Sequence, residues 1–271
     1  MNLVRKFLHR VVQYQLMISI GGGVYYLTGY MLLLGQFVFP WQRFLIIVAG
    51  TWITYASHRG IINLRSKTLI TSIIYLLYAV FSLSIISFYE VLFLLHLAII
   101  SFLYEPSCFV KINFFSLRKV PLIKLILLSY IWANISSIYP AINLEINLFD
   151  RTVSNLFWIQ FCFILAITIP FDIRDFYLDV KENLITMPRV FGFKTTKRIA
   201  LIFLGIYTIA IVNWIGNINE IIFLSLLAGV LIWRSDRRNS DLYFGLWLDG
   251  LLILYFLFIL FHFHYDSIST G

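Results

Sequence analysis

Apolar residues run along this chain in long blocks separated by short polar breaks, at 11–34, 42–62, 69–89, 91–107, 121–140, 153–171, 198–214, 218–233 and 242–263. A bilayer core takes about 20 apolar residues per helix, with shorter helices tolerated at some cost, so each block predicts a membrane-spanning helix. One region is ambiguous by pattern alone. From Leu69 to Tyr104 only Glu90 and His96 interrupt the apolar run, which reads either as one overlong helix or as two short ones with a turn at Phe88-Tyr89-Glu90.

The distribution of charge decides between them. With nine spans and the N-terminus inside, every one of the 21 Lys and Arg residues except Arg43 and Arg151 falls on the cytoplasmic side. Merging the third and fourth blocks would move the later basic loops outside, against the positive-inside rule. The external connections carry Glu90, Glu145, Asp150 and Glu220. Composition agrees: of 271 residues 61% are hydrophobic and 13% charged, with mean hydropathy +0.88, against roughly 25% charged in soluble domains. A net charge of +8 suits nucleic acid in a soluble protein; here it follows topology, and no nucleic-acid partner is expected. The expectation is an all-α integral membrane protein: a nine-transmembrane-helix bundle forming a single polytopic domain over 1–271. No stretch rich in Gly, Ser or Pro divides it. It is expected in a bacterial-type cytoplasmic membrane, N-terminus cytoplasmic and C-terminus external. Residues 1–10 resemble the basic start of a signal peptide, but the apolar run that follows is too long for one and lacks a small-residue cleavage site. They read as a cytoplasmic lead-in. Cys108 and Cys162 complete no disulfide framework or ligand set.

The candidate chemistry lies at the inner end of the sixth span, in Ile169-Pro-Phe-Asp172-Ile-Arg174-Asp175-Phe-Tyr-Leu-Asp179-Val-Lys181, followed by Thr186-Met-Pro188-Arg189-Val-Phe-Gly192. On a continuous helix the i, i+3, i+7 spacing places Asp172, Asp175 and Asp179 on one face. Such a face suits Mg²⁺, which takes oxygen ligands and bridges to phosphates. The same residues also fit an ordinary solvated juxtamembrane helix. Arg174, Lys181, Arg189 and Lys194 lie close by in sequence, and guanidinium groups contact phosphate oxygens directly.

The order Asp172, Asp175, Asp179, Lys181, Thr186, Pro188, Gly192 resembles the second aspartate-rich motif of the UbiA superfamily of membrane prenyltransferases. Phe114-Phe-Ser-Leu-Arg118-Lys119-Val-Pro121-Leu-Ile-Lys124 more loosely resembles the basic segment leading into that family's fifth helix. The resemblance implies a UbiA-like bundle whose motifs face the cytoplasm, transferring a prenyl group from a polyprenyl diphosphate to an unidentified acceptor. It implies Mg²⁺ on Asp172, Asp175 and Asp179, which would be the catalytic and metal residues, and diphosphate contacts from Arg174, Lys181, Arg118 and Lys119. Stabilising the departing diphosphate is the main task of such a site.

The first motif of that family, a run of carboxylates after the second span, has no counterpart. No acidic residue precedes Glu90, and the segment reads Tyr55-Ala-Ser57-His58-Arg59-Gly-Ile-Ile-Asn63-Leu-Arg65-Ser-Lys67. Two readings stay open: His58, Arg59, Asn63 and Arg65 replace metal by direct contacts to diphosphate, or the bundle is a catalytically inactive lipid-binding or complex-forming membrane protein. Positive-inside flanking explains His58-Arg59 equally well. Asp249, inside the last span, is expected to face the polar substrate cavity with Asn63, pairing with a basic residue or touching the acceptor, because a carboxylate at that depth needs a partner. A transporter would place ionisable groups or broken helices near the midplane; Gly21-Gly22-Gly23 is the one such hint, and it suits close helix packing.

Overall fold

The computed structural model describes residues 3–58, 86–105, 116–216 and 219–269. They form helices α1 (Leu3–Gln13), α2 (Leu16–Leu34), α3 (Trp41–His58), α4 (Phe88–Tyr104), α5 (Ile123–Ser136), α6 (Ile138–Asn143), α7 (Arg151–Arg174), α8 (Phe176–Lys181), α9 (Met187–Ile215), α10 (Asn219–Arg234) and α11 (Gly250–Ser269). A 3₁₀ turn, Leu117–Lys119, precedes α5, and a π-helical turn, Tyr243–Leu248, runs into α11. No strand occurs among the described residues. The helices Leu16–Leu34, Ile123–Asn143, Arg151–Arg174, Met187–Ile215 and Tyr243–Phe263 are long and apolar enough to cross a bilayer, so this is a multi-pass membrane protein. Helices α3, α4 and α10 also coincide with predicted spans; the third span, 69–89, lies almost entirely outside the described residues, as do Arg59, Asn63 and Arg65.

Helix α7 is the axis of the bundle. It packs on α5 and α9, while α2 packs on α3, α5 and α11. Val153, Leu156, Phe163, Ile164 and Ile169 are buried along it, and Tyr25, Tyr207 and Tyr255 close around Phe163. Gln160, fully buried there, accepts from the Tyr25 hydroxyl at 2.7 Å and donates to that of Tyr255 at 3.4 Å. This satisfies an amide that would be costly unpaired in an apolar interior. Helices α2 and α5 approach closely at Gly29: a Cβ there would lie 1.6 Å from the Ser136 carbonyl oxygen.

The structure corrects the expected turn at Phe88-Tyr89-Glu90. These residues are the first turn of α4, where the Ser87 hydroxyl accepts from the Glu90 amide and the Glu90 carboxylate accepts from the Ser87 amide, a reciprocal cap. Glu90 is buried and also pairs with Arg43 at 2.9 Å and accepts from the Tyr139 hydroxyl at 3.4 Å. That knot ties α3, α4 and α6 at the end of the bundle away from the basic loops.

Candidate active site

At the opposite end of the bundle, the start of α5, the end of α7 and the start of α9 converge. The expected single carboxylate face is interrupted: α7 ends at Arg174, Asp175 caps it, and the chain resumes as α8 at Phe176. The three aspartates divide accordingly. Asp172 and Asp179 are buried and meet at the ammonium of Lys124, 2.9 Å from Asp172 Oδ1 and 3.3 Å from Asp179 Oδ2. Asp172 Oδ2 also accepts from the Met187 amide at 3.4 Å, at the N-terminus of α9 where backbone N–H groups lack helical partners. Asp175 instead binds Arg174 through two parallel contacts of 2.7 and 3.0 Å.

The remaining residues of the motif have structural reasons. Thr186 occupies the N-cap position of α9, with Pro188 in its first turn, where a missing N–H costs nothing. Gly192 interrupts α9 with φ +74° and ψ 162°, a conformation that only glycine adopts without strain. The Leu122 amide donates to the Ile185 carbonyl at 3.3 Å, fastening the entrance of α5 to the loop before α9 and bringing Lys124 under the aspartates.

Arg118 stands beside them. Its guanidinium lies 3.4 Å from Asp179, 3.3 Å from Glu182 and 3.7 Å from Glu105. Burial disfavours its charge, but Tyr104, Glu182, Asp179 and Glu105 outweigh burial and hold its pKa above the ordinary value; it stays cationic. The Arg174 guanidinium lies over the rings of Phe171 and Phe244, at 4.8 and 5.5 Å from their centroids, and Asp175, Asp249 and Asp241 all act on its charge.

These groups border a cavity of about 980 Å³. Arg118, Lys124, Arg174, Asp175, Glu182, Arg237, Asp241 and Asp249 line its polar part, with His58 and Tyr104; Leu97, Ile131, Trp132, Ile135 and Ile164 line an apolar part. His58, the member of the His58, Arg59, Asn63 and Arg65 set that falls among the described residues, lies against Tyr104 with ring centroids 5.5 Å apart. Asp249 is among the residues that line the cavity. It follows the π-helical turn, and its amide donates to the Phe244 carbonyl five residues back; such turns recur at functional sites. Lys119 and Lys181 are exposed and do not line the cavity. Sequence reasoning placed Lys124 only within a basic segment and missed its central position.

Carboxylate oxygens suit Mg²⁺, but here Asp172 Oδ1 is engaged by the Lys124 ammonium at 2.9 Å, Asp179 by Lys124 and Arg118, and Asp175 by Arg174. Among the described residues no three His, Cys, Asp or Glu side chains converge to form a cage. An ion held there by one or two carboxylates, with water or phosphate oxygens completing its shell, would take the place of a lysine or arginine contact.

The fold is similar to that of a solved structure of digeranylgeranylglyceryl phosphate synthase in membranes, with a TM-score of 0.54 and 16% identity over 94% of this chain and 97% of that one. At that identity the likeness is one of fold. No family model matches the chain, and no curated protein matches it in sequence.

Proposed function

We propose that this chain is a nine-span UbiA-type prenyltransferase that moves a polyprenyl group from its diphosphate to an acceptor within the membrane. The observation that carries this reading is the cavity, which joins a cation-lined polar part to an apolar part beside the second aspartate-rich motif. The overall likeness to digeranylgeranylglyceryl phosphate synthase supports the same class. The diphosphate lies against Arg118, Lys124 and Arg174, and the isoprenoid tail runs along Leu97, Ile131, Ile135 and Ile164. His58 contacts phosphate where the family's first motif would hold metal; Arg59, Asn63 and Arg65, assigned the same task from the sequence, lie outside the described residues. Lys119 and Lys181, being exposed, act on the approach of the anion rather than on the bound one. Mg²⁺ on Asp172, Asp175 or Asp179 would supply further charge to neutralise the departing diphosphate.

In the reaction the bond between the allylic carbon and the diphosphate oxygen breaks as the acceptor attacks that carbon. The guanidinium and ammonium groups stabilise the leaving oxygens at fixed positions, which is where such sites gain most of their rate. Asp249 lies on the acceptor side.

The test is a thermal-shift titration of the purified protein with geranylgeranyl diphosphate, with and without Mg²⁺, together with a diphosphate-release assay. We expect Mg²⁺-dependent stabilisation and release, both lost in the Asp172→Ala/Asp175→Ala double variant. Stabilisation without turnover across a range of acceptors would favour the inactive binding protein, a reading supported by the absence of any carboxylate before Glu90. No shift in a folded protein would remove the diphosphate reading altogether.

A further inference from the structure

Helix α1 is the one described element whose sequence has three distinct faces. At 100° per residue, Val4, Phe7, Val11 and Tyr14 form one apolar stripe; Val4, Phe7 and Tyr14 are 62%, 64% and 49% exposed. Lys6, Arg10 and Gln13 form a second, polar face and are exposed as well. On the third face Val12 is buried and Leu8 and His9 are half-buried. Val12 rests on the π-helical turn at Gly245, where a Cβ would come within 2.5 Å of its Cγ1.

Helix α1 does not simply extend the first span. The chain turns at Gln15, whose backbone is left-handed at φ 58° and ψ 22°. Two contacts fix that turn: the Gln15 side-chain Nε2 donates to the Val12 carbonyl at 2.9 Å, and the Trp52 indole of α3 donates to the Tyr14 carbonyl at 3.0 Å. An apolar stripe and a basic face on a helix turned away from its span match the pattern of helices that lie in the bilayer interface.

We propose that α1 is an in-plane interfacial helix that binds the headgroups of anionic phospholipids in the same leaflet that the basic loops face. Lys6 and Arg10 meet the phosphates, while Val4, Phe7, Val11 and Tyr14 enter the acyl layer. Two features favour lipid over a protein partner. The apolar stripe is continuous with the lipid-exposed flank of the first span, where Leu16 and Ile20 are also exposed. The adjoining charge is wholly positive, complementary to an anionic leaflet. Because Val12 and Gln15 also line the cavity beside Asp249 and Gly245, the bound lipid braces one wall of it. This inference does not depend on the prenyltransferase reading.

The experiment uses the full-length protein in a Cys108→Ser/Cys162→Ser background, with bimane attached at Phe7→Cys or Gln13→Cys, in nanodiscs of phosphatidylcholine with or without phosphatidylglycerol. The Phe7 label is expected to be quenched by brominated acyl chains and shielded from iodide, and the Gln13 label to behave in the opposite way. Phosphatidylglycerol is expected to deepen the acyl-chain quenching at Phe7, and Lys6→Glu/Arg10→Glu to abolish that increase. Equal iodide access at both positions would overturn the in-plane placement. Quenching at Phe7 that ignores phosphatidylglycerol would overturn the anionic-lipid assignment. If the doubly reversed variant does not fold, the phosphatidylglycerol series on the parent charges decides the matter alone.

Discussion

The ammonium of Lys124 is the point on which the polar end of the molecule closes. Its side chain is 13% exposed, and it faces Asp172 and Asp179, which are 2% and 1% exposed. Removing one partner of a buried ion pair leaves the others charged without compensation, at a cost of about 3–5 kcal/mol. Lys124→Met is therefore expected to lower the unfolding free energy by about that amount, and Lys124→Met/Asp172→Asn to recover part of it. Thermal and denaturant unfolding in detergent would read the difference, and an unchanged midpoint for the single variant would show that the carboxylates are not held by this lysine. None of this was legible in the local sequence. Lys124 sits in a basic segment of ordinary appearance, and its partner Asp179 lies 55 positions away. Asp172 and Asp179 were legible, because carboxylates at the end of an apolar run must be accounted for.

Among the helices, the glycines separate close packing from lipid-facing surface. At Gly29 an added methyl group would overlap the Ser136 backbone of α5, whereas at Gly205, in the middle of α9, nothing lies within 4 Å. Gly29→Ala is expected to cost more than the about 1–3 kcal/mol usual for overpacking, since neither backbone yields without parting α2 from α5. Gly205→Ala is expected to change stability by less than about 1 kcal/mol. Melting curves of the two variants test the contrast, and equal effects would contradict the α2–α5 contact. Among the described residues the long helices overlap the apolar blocks, because the bilayer imposes length directly, but the block at 11–34 is broken between α1 and α2 and α9 begins at Met187, before its block. The break at Asp175 was not legible, since no proline or glycine sits there to announce it. The start of α4 was signalled by Ser87-Phe-Tyr-Glu90, a capping pattern overlooked in favour of a turn around a lone charge.

Across the whole molecule, ionic groups gather in two knots at opposite ends of the bundle: Arg43 with Glu90, and Lys124 and Arg118 with the aspartates. The counting of positive charges makes a checkable statement about which end faces which compartment. Phe149, 95% exposed before α7, and Arg238, exposed after α10, lie on opposite sides in that scheme. In the cysteine-free background, Phe149→Cys is expected to react with an impermeant maleimide added outside intact cells, and Arg238→Cys only after permeabilisation. Reaction of both from one side would overturn the topology. Charge bias also carries the division of 69–104 into two spans, of which α4 lies among the described residues. The cavity itself was beyond reach, because which residues line it depends on how α3, α5, α7 and the last span meet.

The ion cluster around Lys124 also orders the events of biosynthesis. Lys124 leaves the ribosome well ahead of Asp172 and Asp179, and at about 5–20 residues per second the interval is on the order of seconds. Through that interval α5 carries its lysine without the carboxylates that hold it in the folded protein. Helix α7 and the segment after it then bring the counter-charges, so the two segments lock to each other only after both have been made. The ion cluster is thus closed from the second half of the chain, after α1 to α4 have been synthesised.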